Sequence, residues 1–198
     1  MPSDWYEVVS GTEIEQGDII RNCFIKKAVS INLSDQETED IVEIERRDVI
    51  VISQTCDILQ GKIAEILVAN VDSYDSMVAQ NGTADPSIKS SAFKKAAIQG
   101  NLIPYLLLNE EASENFPYSL VSFHHLHTIP KVVLEEFVRI SGTRLRLNSP
   151  YKEHLAQGFA KYMMRVAQPT EPRGFQNYAA GGVPSPGSAN SLASGNSN

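Results

Sequence analysis

Cysteine is scarce in this sequence: Cys23 and Cys56 are the only two among 198 residues, 33 positions apart. That spacing gives no disulfide framework and no C-x-x-C pair, the usual mark of a structural zinc or a thiol-redox site. Basic residues are also in deficit, 17 Lys and Arg against 24 Asp and Glu, for a net charge of −7. A generally basic nucleic-acid surface is thereby excluded, so any contact with RNA or DNA has to be local. No apolar run approaches the roughly 18 residues of a membrane span, and the opening MPSDWYEVVSG has neither the basic nor the apolar region of a secretory signal. These absences point to a reducing cytoplasm and away from a membrane.

Charge disappears altogether from the last 25 residues, GFQNYAAGGVPSPGSANSLASGNSN. Such a segment cannot bury enough apolar surface to offset its ordering entropy, so residues 174–198 are expected to be a disordered tail behind a single domain spanning 1–173.

Within that domain the pattern is strands first and helices later. Gly17-Asp18 opens IIRNCFIKKAVSI; IVEIERR alternates apolar with charged residues; DVIVIS is a short continuous apolar run; and KIAEILVANV follows the Gln60-Gly61 turn. DQETED, Asp35 to Asp40, reads as a hairpin loop without the glycine and alternating oxygens of a calcium site. Short helices are expected in DSYDSMVAQNG and, capped by Ser90 or Ser91, in SSAFKKAAIQGN. LIPYLLLNEE and YSLVSFHHLHTIP return to strand character. KVVLEEFVRISG is an amphipathic helix with Val133, Phe137 and Ile140 on its apolar side and Gly142 as its stop. In SPYKEHLAQGFAKYMMRVA, Ser149 can cap a helix that starts at Pro150, and Tyr151, Leu155, Phe159, Tyr162, Met163 and Val166 form one stripe. The fold expected is α+β: a small antiparallel barrel or strongly bent sheet from Gly17 to Leu147, with inserted helices and the helix from Pro150 to Val166 packed across it.

Three groups of residues could carry chemistry. The first is SQTCD, Ser53 to Asp57, which follows the apolar run. Cys56 would serve as a nucleophile if an imidazole from His124, His125, His127 or His154 favoured its thiolate, with Asp57 opposing. The simpler reading makes Cys56 a small buried hydrophobe and Asp57 a cap for the next turn. The second is FHHLHTIP, where strand alternation sends His125 and His127 to one face and His124 to the other. Joined by Cys56, Cys23 or Asp57, that pair could hold zinc, although the leading reading needs neither a metal nor a cofactor. The third is TRLRLNSPYKEH. Arg144 and Arg146 project from one strand face beside Tyr151, Lys152 and a helix start, a set suited to a phosphate, a carboxylate or RNA. Their alternative role is pairing with Glu110, Glu111, Glu135 or Glu136.

Gly17-Asp18-Ile19 opening one strand and Val49 to Ser53 closing another resemble the start of the PemK/MazF family of toxins. That resemblance implies an SH3-like barrel and metal-independent cleavage of single-stranded RNA. Where the family usually carries an Arg-Pro pair, this chain has Arg46-Arg47-Asp48. It therefore implies Arg46 or Arg47 in the place of the catalytic arginine. The chain to about Gln168 also resembles a group of uncharacterised bacterial proteins with an SQ-T/S-CD motif and a PY-x-EHLAQ helix, here Pro150 to Gln157.

The leading expectation is a bacterial toxin-like or phage-defence module that binds nucleic acid or a protein through the Arg144/Arg146 face. If it cuts RNA, Arg46, Arg47, Arg144 or Arg146 would stabilise the phosphorane charge, and His154 or a strand histidine would move the proton. A Cys56 hydrolase with a histidine base and a non-catalytic interaction module are the alternatives. The partners expected are RNA or another protein, and self-association into a homo-oligomer is compatible with the sequence.

Overall fold

The computed structural model describes residues 5–30 and 41–164. The DQETED loop, the domain boundary near 173 and the uncharged tail lie outside the described residues.

Strand β3 (Ile41–Val51) organises the sheet. IVEIERR and DVIV are parts of this one strand, not two. Its first half alternates because it is partly exposed. In its second half Ile50 packs into one core and Val49 and Val51 into another, so every side chain there must be apolar. To one side lies β2 (Asp18–Ser30) and to the other β4 (Glu65–Ser73), both antiparallel to β3. With β1 (Tyr6–Val9), β5 (Tyr105–Leu108), β6 (Ser119–Pro130) and β7 (Arg144–Leu147) they form a seven-stranded sheet of order β1-β7-β2-β3-β4-β6-β5. Neighbours are antiparallel throughout, and the chain is α+β.

The sheet does not close, which corrects the expectation of a barrel. No ladder joins β1 to β5. The sheet is instead bent until its ends meet through side chains: Tyr6 on β1 donates its hydroxyl to the Asn109 carbonyl just after β5 at 2.7 Å, and its ring meets Phe116 edge-on at 5.7 Å. Both end strands are only four residues long, so each offers little backbone for pairing.

Helices cover both faces. On one, α5 (Tyr151–Met163) inserts Leu155, wholly buried, beside Phe123, Leu147 and Ile50, while Trp5 stacks on Tyr151 at 3.7 Å. The helix begins one residue later than expected, with Pro150 at its N-cap and no capping bond from Ser149. On the other face, α4 (Lys131–Ser141) buries Leu134 and Val138 with Phe137 beside them. Val133 and Ile140, expected on the apolar side, are more than half exposed. The apolar residues of α4 form two stripes, and the sheet takes the one with Leu134; in the first turn Lys131 Nζ donates to the Ile58 carbonyl at 2.9 Å.

Three helices complete the domain: α1 (Thr55–Leu59), α2 (Tyr74–Asn81) and α3 (Ser91–Ile98). As expected, Ser90 caps α3, accepting from Phe93 N at 3.1 Å. Among the described residues no helix is long and apolar enough to cross a membrane.

Candidate functional site

The SQTCD stretch turns out to be scaffolding. Ser53 Oγ accepts from Leu67 N at 2.9 Å, and Thr55 Oγ1 from Gln16 N at 3.1 Å. These polar side chains complete the backbone hydrogen bonding where β3 ends. Cys56 lies on α1 and is exposed, not buried as the simpler reading held. Its thiol has Gln54 Oε1 and Asp57 Oδ1 at 3.7 Å, and no imidazole among its partners. Asp57 faces Lys62 at 3.6 Å. Cys23 is buried, and burial pushes its thiol up to about 11. The structure thus does not bring either cysteine to the histidines, and among the described residues no three of His, Cys, Asp and Glu are grouped to hold a metal ion.

Arg144 and Arg146 do project from the same strand face, but that face is interior. Gly17, at φ 86° and with Leu147 Cβ only 3.1 Å from where its own Cβ would stand, brings β2 close against β7 and sets Asp18 opposite Arg146. Asp18 is wholly buried. It accepts from Arg144 Nε at 2.7 Å and from Arg146 Nη2 at 3.0 Å and Nε. Arg144 also bonds the Gly11 and Glu13 carbonyls, and Arg146 reaches Glu15 Oε1 at 2.6 Å, whose other oxygen holds Lys152 at 3.1 Å. Burial works against the Arg146 charge, and the bonds and charges of Asp18 with Glu15 and Glu7 more than offset it, so its pKa rises. The partners are Asp18 and Glu15, not the four glutamates expected. With their donors taken by the protein itself, these arginines form no open anion surface. Tyr151 and Lys152 belong to the same packed region, through Trp5 and Glu15. His154, exposed on α5, meets the Tyr151 ring edge-on at 6.1 Å.

The remaining sequence candidates do converge. Strand alternation on β3 separates the two arginines: Arg46 lies over the Phe24 ring at 4.3 Å, while Arg47 turns to the opposite side. There it lines a cleft of about 470 Å³ together with His125 and His127, walled by α2. The histidines arrive there through a break in register. Ala69 pairs with Leu126 but Asn70 with Ser122, so β6 bulges by the three residues Phe123, His124 and His125. Phe123 enters the core, His124 bonds the Tyr162 hydroxyl at 3.2 Å, and His125 Nδ1 folds back to within 2.9 Å of Ser122 Oγ in the cleft. His125 and His127 therefore share one side and His124 takes another, the arrangement expected from alternation, although the bulge produces it.

His127 Nε2 lies 3.0 Å from Asn70 Oδ1. An amide oxygen only accepts, so Nε2 carries the hydrogen and Nδ1 of the neutral ring keeps its lone pair. Partial burial, with the His125 and Arg47 charges adding to it and Glu45 opposing, lowers the His127 pKa from 6.5. Arg47 is held by Glu45, whose Oε2 takes both Nε and Nη2 at 3.0 Å, and its Nη1 is ion-paired with Asp72 at 4.0 Å, too far for a hydrogen bond. The Arg47 side chain is 39% exposed. Three cations line the cleft, Lys26, Lys27 and Arg47, against the two carboxylates Glu45 and Asp72. In a chain of net charge −7, this is a local reversal of sign.

Sequence reasoning missed Asn70, Ser122, Glu45 and Asp72 as members of this cleft. One signal was available: Asn70 is a lone amide within the apolar run ILVANV, and a buried polar side chain in such a place needs a partner. No protein-family model matches this chain, and no curated protein is significantly similar to it.

Proposed function

We propose that this protein binds single-stranded RNA in the Arg47/His125/His127 cleft and transfers protons there at a phosphodiester, as a toxin-like endoribonuclease. One observation carries the reading: an arginine, two histidines and a surplus of cations line a single cleft in an otherwise acidic chain. Cation surplus suits a phosphate, and the guanidinium charge of Arg47 suits the developing charge on its non-bridging oxygens.

His127, whose pKa burial lowers and whose Nε2 faces Asn70, accepts the 2′-hydroxyl proton through Nδ1 as that oxygen attacks phosphorus. The bond from phosphorus to the 5′-oxygen then breaks, and the more exposed His125 supplies the proton the leaving oxygen needs. Products are a 2′,3′-cyclic phosphate and a 5′-hydroxyl. Arg144 and Arg146, saturated by Asp18 and Glu15, take no part, and Cys56 lies outside the cleft. This reading agrees with the PemK/MazF resemblance in assigning the phosphate charge to one arginine of the Arg46-Arg47 pair.

A fluorophore-quencher RNA oligonucleotide and its all-DNA counterpart test it. Cleavage of the RNA is expected, with His127→Ala and His125→Ala each about a hundredfold slower or worse. The DNA, lacking the 2′-hydroxyl, should bind without being cut. Arg47→Ala should weaken binding of both and reduce the slope of log affinity against log salt by about one. The reading is defeated if the RNA is not cut, or if it is cut equally by the His125→Ala and His127→Ala variants.

A further inference from the structure

The open end of the sheet carries a feature independent of the RNA cleft. Two cavities, of about 300 and 580 Å³, adjoin along β5 and share Ala97, Ile98, Leu107 and Tyr118 as walls. The smaller lies toward α2 and α3, floored by Phe93 and Leu120; the larger reaches α5 at Gly158 and Lys161. Ile98 is 75% exposed on their common rim, and Ile103 and Tyr118 are nearly half exposed. So much accessible apolar surface around one edge strand marks an interaction site more often than an accident of folding.

Backbone geometry says what fits there. The Pro104 carbonyl accepts from Phe123 N at 3.0 Å, and the register continues from Tyr105 opposite Ser122 to Leu108 opposite Ser119. Antiparallel alternation then turns Leu106 and Leu108 toward β6 and turns Tyr105, Leu107 and Asn109 outward. The outward row is closed at both ends: Tyr105 N donates to the Leu102 carbonyl at 2.9 Å, and the Asn109 carbonyl accepts from Tyr6. Leu107 stands between them, and among the described residues its outward N–H and C=O have no partner. One open rung thus lies between the two cavities, the smaller mainly apolar and the larger mixed, on opposite faces of the sheet edge, where Leu106 joins one core cluster and Leu107 another.

Charge selects the occupant. Lys94 stands at the smaller cavity, with its Nζ 5.4 Å from the Tyr74 ring centre, and Lys161 at the larger; neither cavity is lined by Asp or Glu. The nearest carboxylate acting on this wall, Glu110, is directed at the Tyr118 hydroxyl.

We propose that the β5 edge receives a short extended peptide of a protein partner, apolar at its centre and acidic at its ends, hydrogen-bonded through Leu107. Successive side chains of an extended strand point to opposite faces, so neighbouring residues of the peptide enter the two cavities in turn while its flanking carboxylates meet Lys94 and Lys161.

The probe is a blocked heptapeptide with Ile, Phe and Val at its centre and Glu at both ends, compared by fluorescence polarisation with a twin bearing Lys at both ends. Expected are binding of the acidic peptide at least tenfold tighter than of the twin, and loss of that preference in the double variant Lys94→Glu/Lys161→Glu. N-methylation of the central peptide bond should abolish binding without touching the protein. Leu107→Pro should do the same from the protein side, since proline is tolerated where an edge N–H faces outward; its thermal melt checks that the fold survives. The proposal is overturned if the two peptides bind equally, if N-methylation changes nothing, or if the edge instead pairs two copies of this chain, seen as a dimer that Leu107→Pro dissolves and the peptide does not displace.

Discussion

Asp18 and Arg146 meet in a two-pronged contact, Nε on Oδ1 and Nη2 on Oδ2 at 3.0 Å, with the carboxylate wholly removed from water. The same carboxylate holds Arg144. Removing it leaves two guanidinium groups in the interior without their main counter-charge, so Asp18→Asn is expected to destabilise the fold by about 3–5 kcal/mol. Urea unfolding at neutral pH measures it; a loss below about 1 kcal/mol would show that the cluster is dispensable.

The register of α4 makes a second expectation. Leu134→Ala removes a wholly buried side chain and should cost about 2–5 kcal/mol. Val133→Ala and Ile140→Ala, on the exposed side, should stay within about 0.5 kcal/mol. Thermal or chemical melts of the three variants would reverse this order if the sheet took the other stripe.

Thiol labelling separates the cysteines. Native protein should take up one equivalent of an alkylating reagent, at exposed Cys56, and the second only on unfolding, because Cys23 is buried and its thiol is raised to about 11. Since no imidazole contacts Cys56, substituting His124, His125, His127 and His154 in turn should leave its labelling rate unchanged. Peptide mass mapping assigns the site, and a histidine-dependent rate would revive the thiol hydrolase.

His127 predicts a direction of pH dependence. Its native pKa is lowered from 6.5 by partial burial, so below that value the unfolded chain binds a proton that the folded ring resists. Stability should therefore fall as pH drops below about 6.5, until the folded ring is protonated too, and gain nothing from this group well above that value. His127→Gln should flatten the wild-type trend in urea midpoints over that range. A steeper trend in the variant would contradict the burial argument.

Much of the fold could be read from the chain because burial on both faces writes itself as an unbroken apolar run. Val49 to Ile52 predicted a central strand for that reason, and β4, α2, α3 and α5 followed from periodicity and caps. Closure was misjudged because strand pattern says nothing about whether the last edge meets the first; that depends on single contacts such as Tyr6 with Asn109. The site was half legible. Alternation separated His124 from its neighbours, but which arginines face water depends on partners far away in sequence. Arg144 and Arg146 look like a basic patch until Asp18 is placed between them, and Arg46 and Arg47 look interchangeable until only Arg47 is found in the cleft.

Asp18 and Arg144 are separated by 126 residues of chain. Closing so long a loop carries an entropy cost, so the ion cluster is expected to assemble late, after the strands between have gathered the two ends of the domain. A chain that stalls partway, with β2 to β6 in place but β7 undocked, keeps Asp18 and both guanidinium groups in water and gains nothing from them. Loss of the cluster should hasten unfolding more than it slows folding, because its contacts belong to the last step of assembly.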